Sequence, residues 1–203
     1  MLYPSVEIRW FFPGPPERGL VAWFNQSHTS VGVGERTDHY LLGVGAALNI
    51  KLREGRVEVK QRQWSRAGFQ INVRAKGRME GWNKWSFELT GAAAAVDLAQ
   101  QHADQWLAVH KHRRMRTFIA ERAEITETAP GSRPATGCNA ELTVVTAGDR
   151  RWHSLGFEAF GAGDRPGLLH SVSEFLLNGD LPVPLPAEAS RGYPAWIERN
   201  FVI

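Results

Sequence analysis

The chain has 203 residues, and 43% of them are hydrophobic, so it is long enough for one domain with a buried core. Its formal charge of +3 suits an anionic ligand, but it is weaker than the charge of most proteins that bind free nucleic acid. The single cysteine, Cys138, excludes an internal disulfide and a thiolate metal cage, and no apolar run approaches the length of a membrane-spanning helix.

The N-terminal segment lacks the basic and apolar regions of a signal peptide, which predicts a soluble cytoplasmic protein. Neither a nucleic acid nor a membrane is expected as a partner. We expect one domain over residues 1–203, in which residues 180–203 form a tail, rich in proline and aromatic residues, that packs on the body. A homodimer is one assembly that the sequence allows.

Residues 6–12 alternate between two faces and predict the first strand, with Glu7, Arg9 and Phe11 on one face. A segment with three prolines then ends this strand, because proline has no amide proton for a sheet ladder. After a polar connection that holds a short helix or strand at residues 20–24, residues 38–43 predict the second strand.

Residues 48–62 carry the most informative pattern, two alternating runs that meet at a Glu54-Gly55 turn. Alternation gives this hairpin one apolar face and one basic face. Like charges that oppose each other on paired strands cost free energy, so the basic face predicts a site for an anion such as phosphate. A solvated surface is the alternative interpretation. The basic face holds five cations, against Glu54 and Glu58 only: Lys51, Arg53, Arg56, Lys60 and Arg62.

Beyond the hairpin, alternation predicts further strands at residues 69–75, 84–89, 114–121, 138–147 and 151–160. Helical spacing predicts helices at residues 92–109 and 165–178, and residues 126–137 have the composition of a loop. Eight or nine antiparallel strands with two intervening helices predict an α+β fold. Closure into a β-barrel, a tunnel with flanking helices, would remove the exposed sheet edges.

This order of parts, over residues 6–160, resembles the CYTH superfamily, the triphosphate tunnel metalloenzymes. The resemblance rests on the acidic first strand, the strand DHYLL, the basic hairpin, a helix followed by KHRRMR, and late strands with Glu141 and Glu158. Members are closed antiparallel barrels whose lumen holds a triphosphate with arginine and lysine, and a divalent metal with glutamate. The resemblance therefore implies a small phosphorylated anion as ligand and Mg²⁺ or Mn²⁺ as cofactor.

The cationic half of the family pattern carries over to several positions of this chain. A polyphosphate needs converging charge-assisted donors, and the planar fork of arginine binds two oxygens at once. On the late basic strand, one of Arg113, Arg114 or Arg116 matches the family position. The predicted substrate contacts are Arg9, Lys51, Arg53, Lys60, Arg62, Arg74, Arg114 and Arg116.

The first strand departs from the family pattern, because Glu7, Arg9 and Phe11 stand where members carry Glu-x-Glu-x-Lys. Only the first carboxylate is present, and an arginine repels a hard cation that needs several oxygen ligands. The predicted metal ligands are Glu7, Glu141 and Glu158, with Glu58 or Glu88 as further sources of a carboxylate.

Three hypotheses on function stay open. The first is a barrel that binds a phosphorylated or polyphosphate small molecule and, if enough carboxylates converge on a metal, hydrolyses it as a triphosphatase. The second is a non-catalytic anion-binding module that lacks the metal site. The third is a carrier of an apolar ligand, which the eight tryptophans and Phe11 favour. The side of the sheet that Lys51 and Lys60 occupy separates the third hypothesis from the other two.

Overall fold

The computed structural model describes residues 2–26, 31–122, 124–179 and 181–202. The strands are β1 (Leu2–Pro13), β2 (Gly32–Leu41), β3 (Leu48–Arg53), β4 (Arg56–Gln70), β5 (Lys76–Glu88), β6 (Trp106–Glu121), β7 (Glu124–Glu127), β8 (Gly137–Ala147) and β9 (Arg150–Phe160). The helices are α1 (Arg18–Phe24), α2 (Ala92–Gln101), α3 (Arg165–Leu177) and α4 (Tyr193–Phe201). Within the described part of the chain, none of the helices could span a bilayer.

The strands form one antiparallel sheet in the order β2-β3-β4-β5-β1-β9-β8-β6-β7. A further pairing of β2 with β6 closes eight of them into a barrel, and β7 lies outside the closure on β6. The predicted fold, an α+β closed antiparallel barrel with flanking helices, is therefore confirmed.

The predicted hairpin is formed by β3 and β4, which pair from Leu48 with Gln61 to Arg53 with Arg56. Glu54 and Gly55 have φ angles of 47° and 76°, so both turn residues adopt the left-handed conformation that matches the twist of a two-residue hairpin. The predicted alternation of the two faces is present.

The predicted strand at residues 69–75 is wrong beyond Gln70. Residues 71–75 form a turn, in which the Asn72 side chain accepts from the backbone N–H groups of Arg74 and Ala75, each at 2.9 Å. Asparagine stabilises turns in this way, and it competes here with the strand pattern. As a result β5 begins at Lys76, before the predicted residues 84–89, and pairs with almost the whole of β4.

The predicted helix at residues 92–109 is wrong in its second half, since α2 ends at Gln101 and β6 begins at Trp106. Leu107 and Trp106 pair with Tyr40 and Leu41 of β2, so the ladder that closes the barrel overrides the helical pattern. The predicted loop at residues 126–137 begins within β7, which pairs with the end of β6.

The apolar core consists of two clusters, one outside the barrel and one inside it. The larger lies on the outer face of β1, β8 and β9, where α1 and α3 cover it, with Ile8 and Trp10 at its centre. The smaller fills one end of the barrel interior, where Phe11 and Val109 meet Trp196 of α4. Polar and charged side chains line the rest of the barrel interior.

Candidate functional site

A cavity of about 280 Å³ lies inside the barrel. Eight cationic side chains line it: Arg9, Arg36, Lys51, Arg53, Lys60, Lys84, Lys111 and Arg113. Four carboxylates line it as well: Glu7, Glu58, Glu141 and Glu158. The basic face of the hairpin therefore points into the barrel, and its apolar face points outward.

Half of the predicted substrate contacts line this cavity, together with all three predicted metal ligands: Arg9, Lys51, Arg53, Lys60, Glu7, Glu141 and Glu158. Two other predicted contacts, Arg62 and Arg74, do not line the cavity. Arg62 donates to Glu80 at 2.8 Å, and Arg74 is exposed in the turn that follows β4.

The face of β6 that points into the barrel is not the one that carries the predicted contacts Arg114 and Arg116. Lys111 and Arg113 line the lumen. Arg114 and Arg116 therefore lie on the outer face, where Arg116 donates to Glu127 at 2.8 and 2.7 Å. Placing Arg114 and Arg116 in the lumen was wrong, because both faces of this strand carry cations and alternation alone does not select the inner face.

Asp38 of β2 is fully buried at the centre of one ion-pair cluster. Its carboxylate lies 2.7 Å from Lys111 Nζ, 3.1 Å from Lys51 Nζ and 3.2 Å from Arg36 Nε. Burial by itself would raise the pKa of Asp38, but these three cations hold it well below its usual range. Asp38 therefore stays ionised and fixes three cations at the wall of the lumen.

Glu141 of β8 is the centre of a second cluster. Arg9 Nη1 donates to one of its oxygens at 3.0 Å, and Arg113 Nε donates to the other at 2.6 Å. Burial by itself would raise the pKa of Glu141, but Arg9 and Arg113 keep it well below its usual range. Gly156 of β9 leaves room for this arrangement, since a Cβ atom there would lie 2.8 Å from Arg9 Cζ.

Lys60 of β4 joins the hairpin to the opposite wall. Its ammonium pairs with Glu7 of β1 and lies 3.4 Å from Glu158 of β9. Burial by itself would raise the pKa of Glu158, but Lys60, Lys84 and Arg9 lower it to about 2. The hairpin is thus held to β1 and β9 by charge as well as by the sheet.

The sequence predicted that the hairpin has too few carboxylates to balance its cations, and this prediction is wrong in part. Asp38, Glu7 and Glu158 pair with its cations, and they come from strands that the hairpin sequence does not include. Even so, the lining cations outnumber Asp38 and the lining carboxylates together by three.

Two donors in the lining keep unused hydrogen-bonding capacity. Arg9 Nε and Trp82 Nε1 are buried, and neither has a hydrogen-bond partner among the described residues. A buried donor without a partner costs free energy, so these two groups destabilise the fold relative to fully paired ones.

The carboxylates do not fit a divalent metal. Within the described ranges, no three or more side chains of the metal-binding types come together. Glu7, Glu141 and Glu158 each contact an arginine or lysine, and Arg9 lies beside Glu141 where the family pattern expects a carboxylate. A hard cation needs several oxygen ligands, so this arrangement favours an anion.

Helix α4 closes one end of the lumen. Its Trp196 ring stacks on Phe11 with centroids 4.9 Å apart, and its Tyr193 ring stacks on Tyr40 at 5.9 Å. Burial raises the pKa of Tyr193 to about 12, so this phenol stays neutral. Tyr193 and Trp196 enter the barrel, whereas the sequence predicted a tail that crosses its surface.

Sequence reasoning missed several lining residues. Lys84 shares a strand face with Ser86 and Glu88, and Arg36 shares one with Asp38 and Tyr40, so the faces are visible in the sequence but nothing marks them as inner. No pattern in the tail connects Tyr193 with the lumen, because that contact depends on the tertiary fold.

No protein-family model matches this chain, and no curated protein matches it significantly by sequence. Among similar solved structures, a conserved hypothetical protein from Pyrococcus furiosus is 14% identical, with 94% of this chain and 98% of that chain covered and a TM-score of 0.45. A "putative adenylate cyclase" from Bacillus halodurans is 12% identical, with 98% of each chain covered and a TM-score of 0.41. At these scores the likeness carries no argument. The strand pairing by itself defines the class of protein, a closed antiparallel barrel with a charged lumen.

Proposed function

We propose that the barrel binds a small phosphorylated anion in its lumen and does so without a divalent metal. The observation that carries this proposal is that eight arginine and lysine side chains line a cavity of about 280 Å³, against four lining carboxylates and the adjacent Asp38. Charge-assisted hydrogen bonds are strong, and a low local dielectric strengthens them further. A cavity of this volume suits a small molecule and not a polymer.

The resemblance to the CYTH superfamily supports the same ligand class. The metal-dependent half of that resemblance lacks support, since arginine and lysine hold the candidate carboxylates. We therefore favour binding over hydrolysis. The apolar-carrier hypothesis is less well supported, because the aromatic residues inside the barrel pack on one another around Trp196.

Thermal and urea unfolding in the presence of inorganic triphosphate, with and without EDTA, test this proposal. Ligand at 100 times its Kd adds about 2.7 kcal/mol to the free energy of unfolding, and we expect chelation to leave this gain unchanged. Neighbouring residues of β6 provide a matched pair of variants. Arg113→Gln removes a lumen cation and should weaken binding about tenfold or more, whereas Arg114→Gln changes the outer face and should leave binding unchanged.

The outcomes separate the hypotheses. If triphosphate, pyrophosphate and sulfate all fail to stabilise the protein, the proposal is wrong. If stabilisation requires Mg²⁺ or Mn²⁺, or if either metal causes phosphate release from triphosphate, the hydrolytic hypothesis replaces it.

A further inference from the structure

The lumen is closed at one end and continues into a second cavity at the other. At the closed end, Trp196 is 1% exposed and Phe11 is 5% exposed, so no ligand passes through the barrel there. At the other end, a cavity of about 320 Å³ shares Lys84, Met115, Asn139 and Glu158 with the lumen. The second cavity therefore adjoins the lumen at the end that α4 does not close.

The two cavities differ in chemistry. The second one is lined by Arg133 and by a group of apolar and aromatic residues that we call the ledge: Tyr3, Pro4, Pro134 and Phe160. Tyr3 is 45% exposed, so its ring is accessible to a ligand. The ledge offers apolar surface directly beside the charged lining, and Lys84, whose ammonium lies 5.6 Å from the centre of the Tyr3 ring, marks the boundary.

An inorganic anion would use only the charged one of these two adjoining cavities. It would leave the ring of Tyr3 and the apolar wall beside it in water. A ligand with an anionic head and an apolar body would use both parts, and the closed end allows one orientation only, with the head inward.

We propose that the ligand is a phosphate or diphosphate ester of an apolar group of about ring size, with its head in the lumen and its body on the ledge. This inference rests on the proposed function and narrows its ligand class. Binding the body would bury about 100 Å² of apolar surface, which we expect to tighten binding about tenfold after ordering costs.

Calorimetric titration of the full chain with methyl diphosphate and phenyl diphosphate tests this inference, because the two heads carry the same charge. We expect phenyl diphosphate to bind about tenfold more tightly. Tyr3→Ser and, independently, Pro134→Ser should bring the ratio of the two dissociation constants towards one without changing the affinity for methyl diphosphate. Phe175→Ser, which removes an aromatic ring that is 54% exposed on α3, is the matched control and should keep the ratio.

Equal affinities of the unchanged protein for the two esters would overturn this inference and leave the proposed function intact. A ratio that survives both ledge substitutions would also overturn it. If neither ester bound, and inorganic triphosphate, pyrophosphate and sulfate did not bind either, the proposed function itself would fail.

Discussion

The ammonium group of Lys111 lies 3.7 Å from the centre of the Tyr193 ring, and this contact joins the barrel wall to the helix that closes it. Lys111 is only 2% exposed, and burial lowers its pKa well below the usual value, although Asp38 opposes that shift. A cation that burial has desolvated makes a stronger contact with an aromatic face than an exposed one does. The packing of α4 at the closed end of the lumen therefore depends on the ammonium group of Lys111.

Removal of the Tyr193 ring should destabilise the protein strongly. Tyr193→Ala leaves a cavity beside Phe11 and Tyr40 and takes the ring away from Lys111, so we expect a loss of about 3 kcal/mol or more in the free energy of unfolding. Tyr193→Phe keeps the ring and should cost about 1 kcal/mol or less. Urea unfolding of both variants measures the difference, and similar losses would contradict the role given to the ring.

Replacement of Asp38 should both destabilise the fold and strengthen its response to anions. Asp38→Asn leaves Arg36, Lys51 and Lys111 without their shared carboxylate, and breaking a buried ion pair costs about 3–5 kcal/mol. An added anion can replace the missing charge, so sulfate or triphosphate should stabilise this variant more than the unchanged protein.

The control for Asp38 is Glu54→Gln at the hairpin turn. Glu54 contacts Arg53 at 3.3 Å, but its side chain is 63% exposed, so its loss should cost less than about 1 kcal/mol. An Asp38→Asn variant that responds to sulfate no more than this control does would contradict the prediction. Thermal unfolding in increasing sulfate, at constant ionic strength, provides the measurement.

The lowered carboxyl pKa values should make the fold sensitive to acid. Surrounding cations offset burial and keep the pKa values of Asp38 and Glu141 well below the usual range and that of Glu158 at about 2. A carboxyl group with a lower pKa in the folded chain stabilises the fold above its unfolded pKa, and this contribution is lost as the pH falls towards the folded pKa.

We therefore expect the free energy of unfolding to fall steadily from about pH 5 to about pH 2, as urea titrations at a series of pH values would show. Glu141→Gln should reduce the slope of this fall. Glu88→Gln is the control. The Glu88 side chain is 84% exposed, so this substitution should leave the slope unchanged. Equal slopes for the two variants would mean that the lumen carboxylates do not govern the acid response.

The sequence predicts the fold well where one face of a strand is uniform. The hairpin is such a case, since Lys51 and Lys60 share a face with other cations and Leu52 shares the opposite face with apolar residues. On β6 cations occupy both faces, so the register that brings Lys111 inward depends on pairing with β2 and β8. The sequence also does not show that Asp38 balances the charges of lysines on other strands, because these residues come together only when the barrel closes.

The position of Arg9 provides a final prediction about metal binding. Arg9 Nη1 lies 3.0 Å from Glu141. Burial by itself would lower the pKa of Arg9, but Glu141 and Glu158 are among the groups that raise it. Arg9→Glu would place a further carboxylate beside these two and leave only Arg113 to pair with Glu141 and Lys60 to pair with Glu158. The free energy of unfolding without metal should then fall by several kcal/mol, and Mn²⁺ should restore about 2.7 kcal/mol at 100 times its Kd.

Arg9→Gln is the matched control for this prediction. It removes the same cation without adding an oxygen ligand of full charge, so Mn²⁺ should stabilise it much less, because hard cations need several anionic oxygens. Thermal unfolding of both variants with Mn²⁺, with Mg²⁺ and with EDTA distinguishes them. An equal response to Mn²⁺ would show that Arg9 is not what keeps a cation out of the lumen, and would shift the explanation to Lys60, which contacts both Glu7 and Glu158.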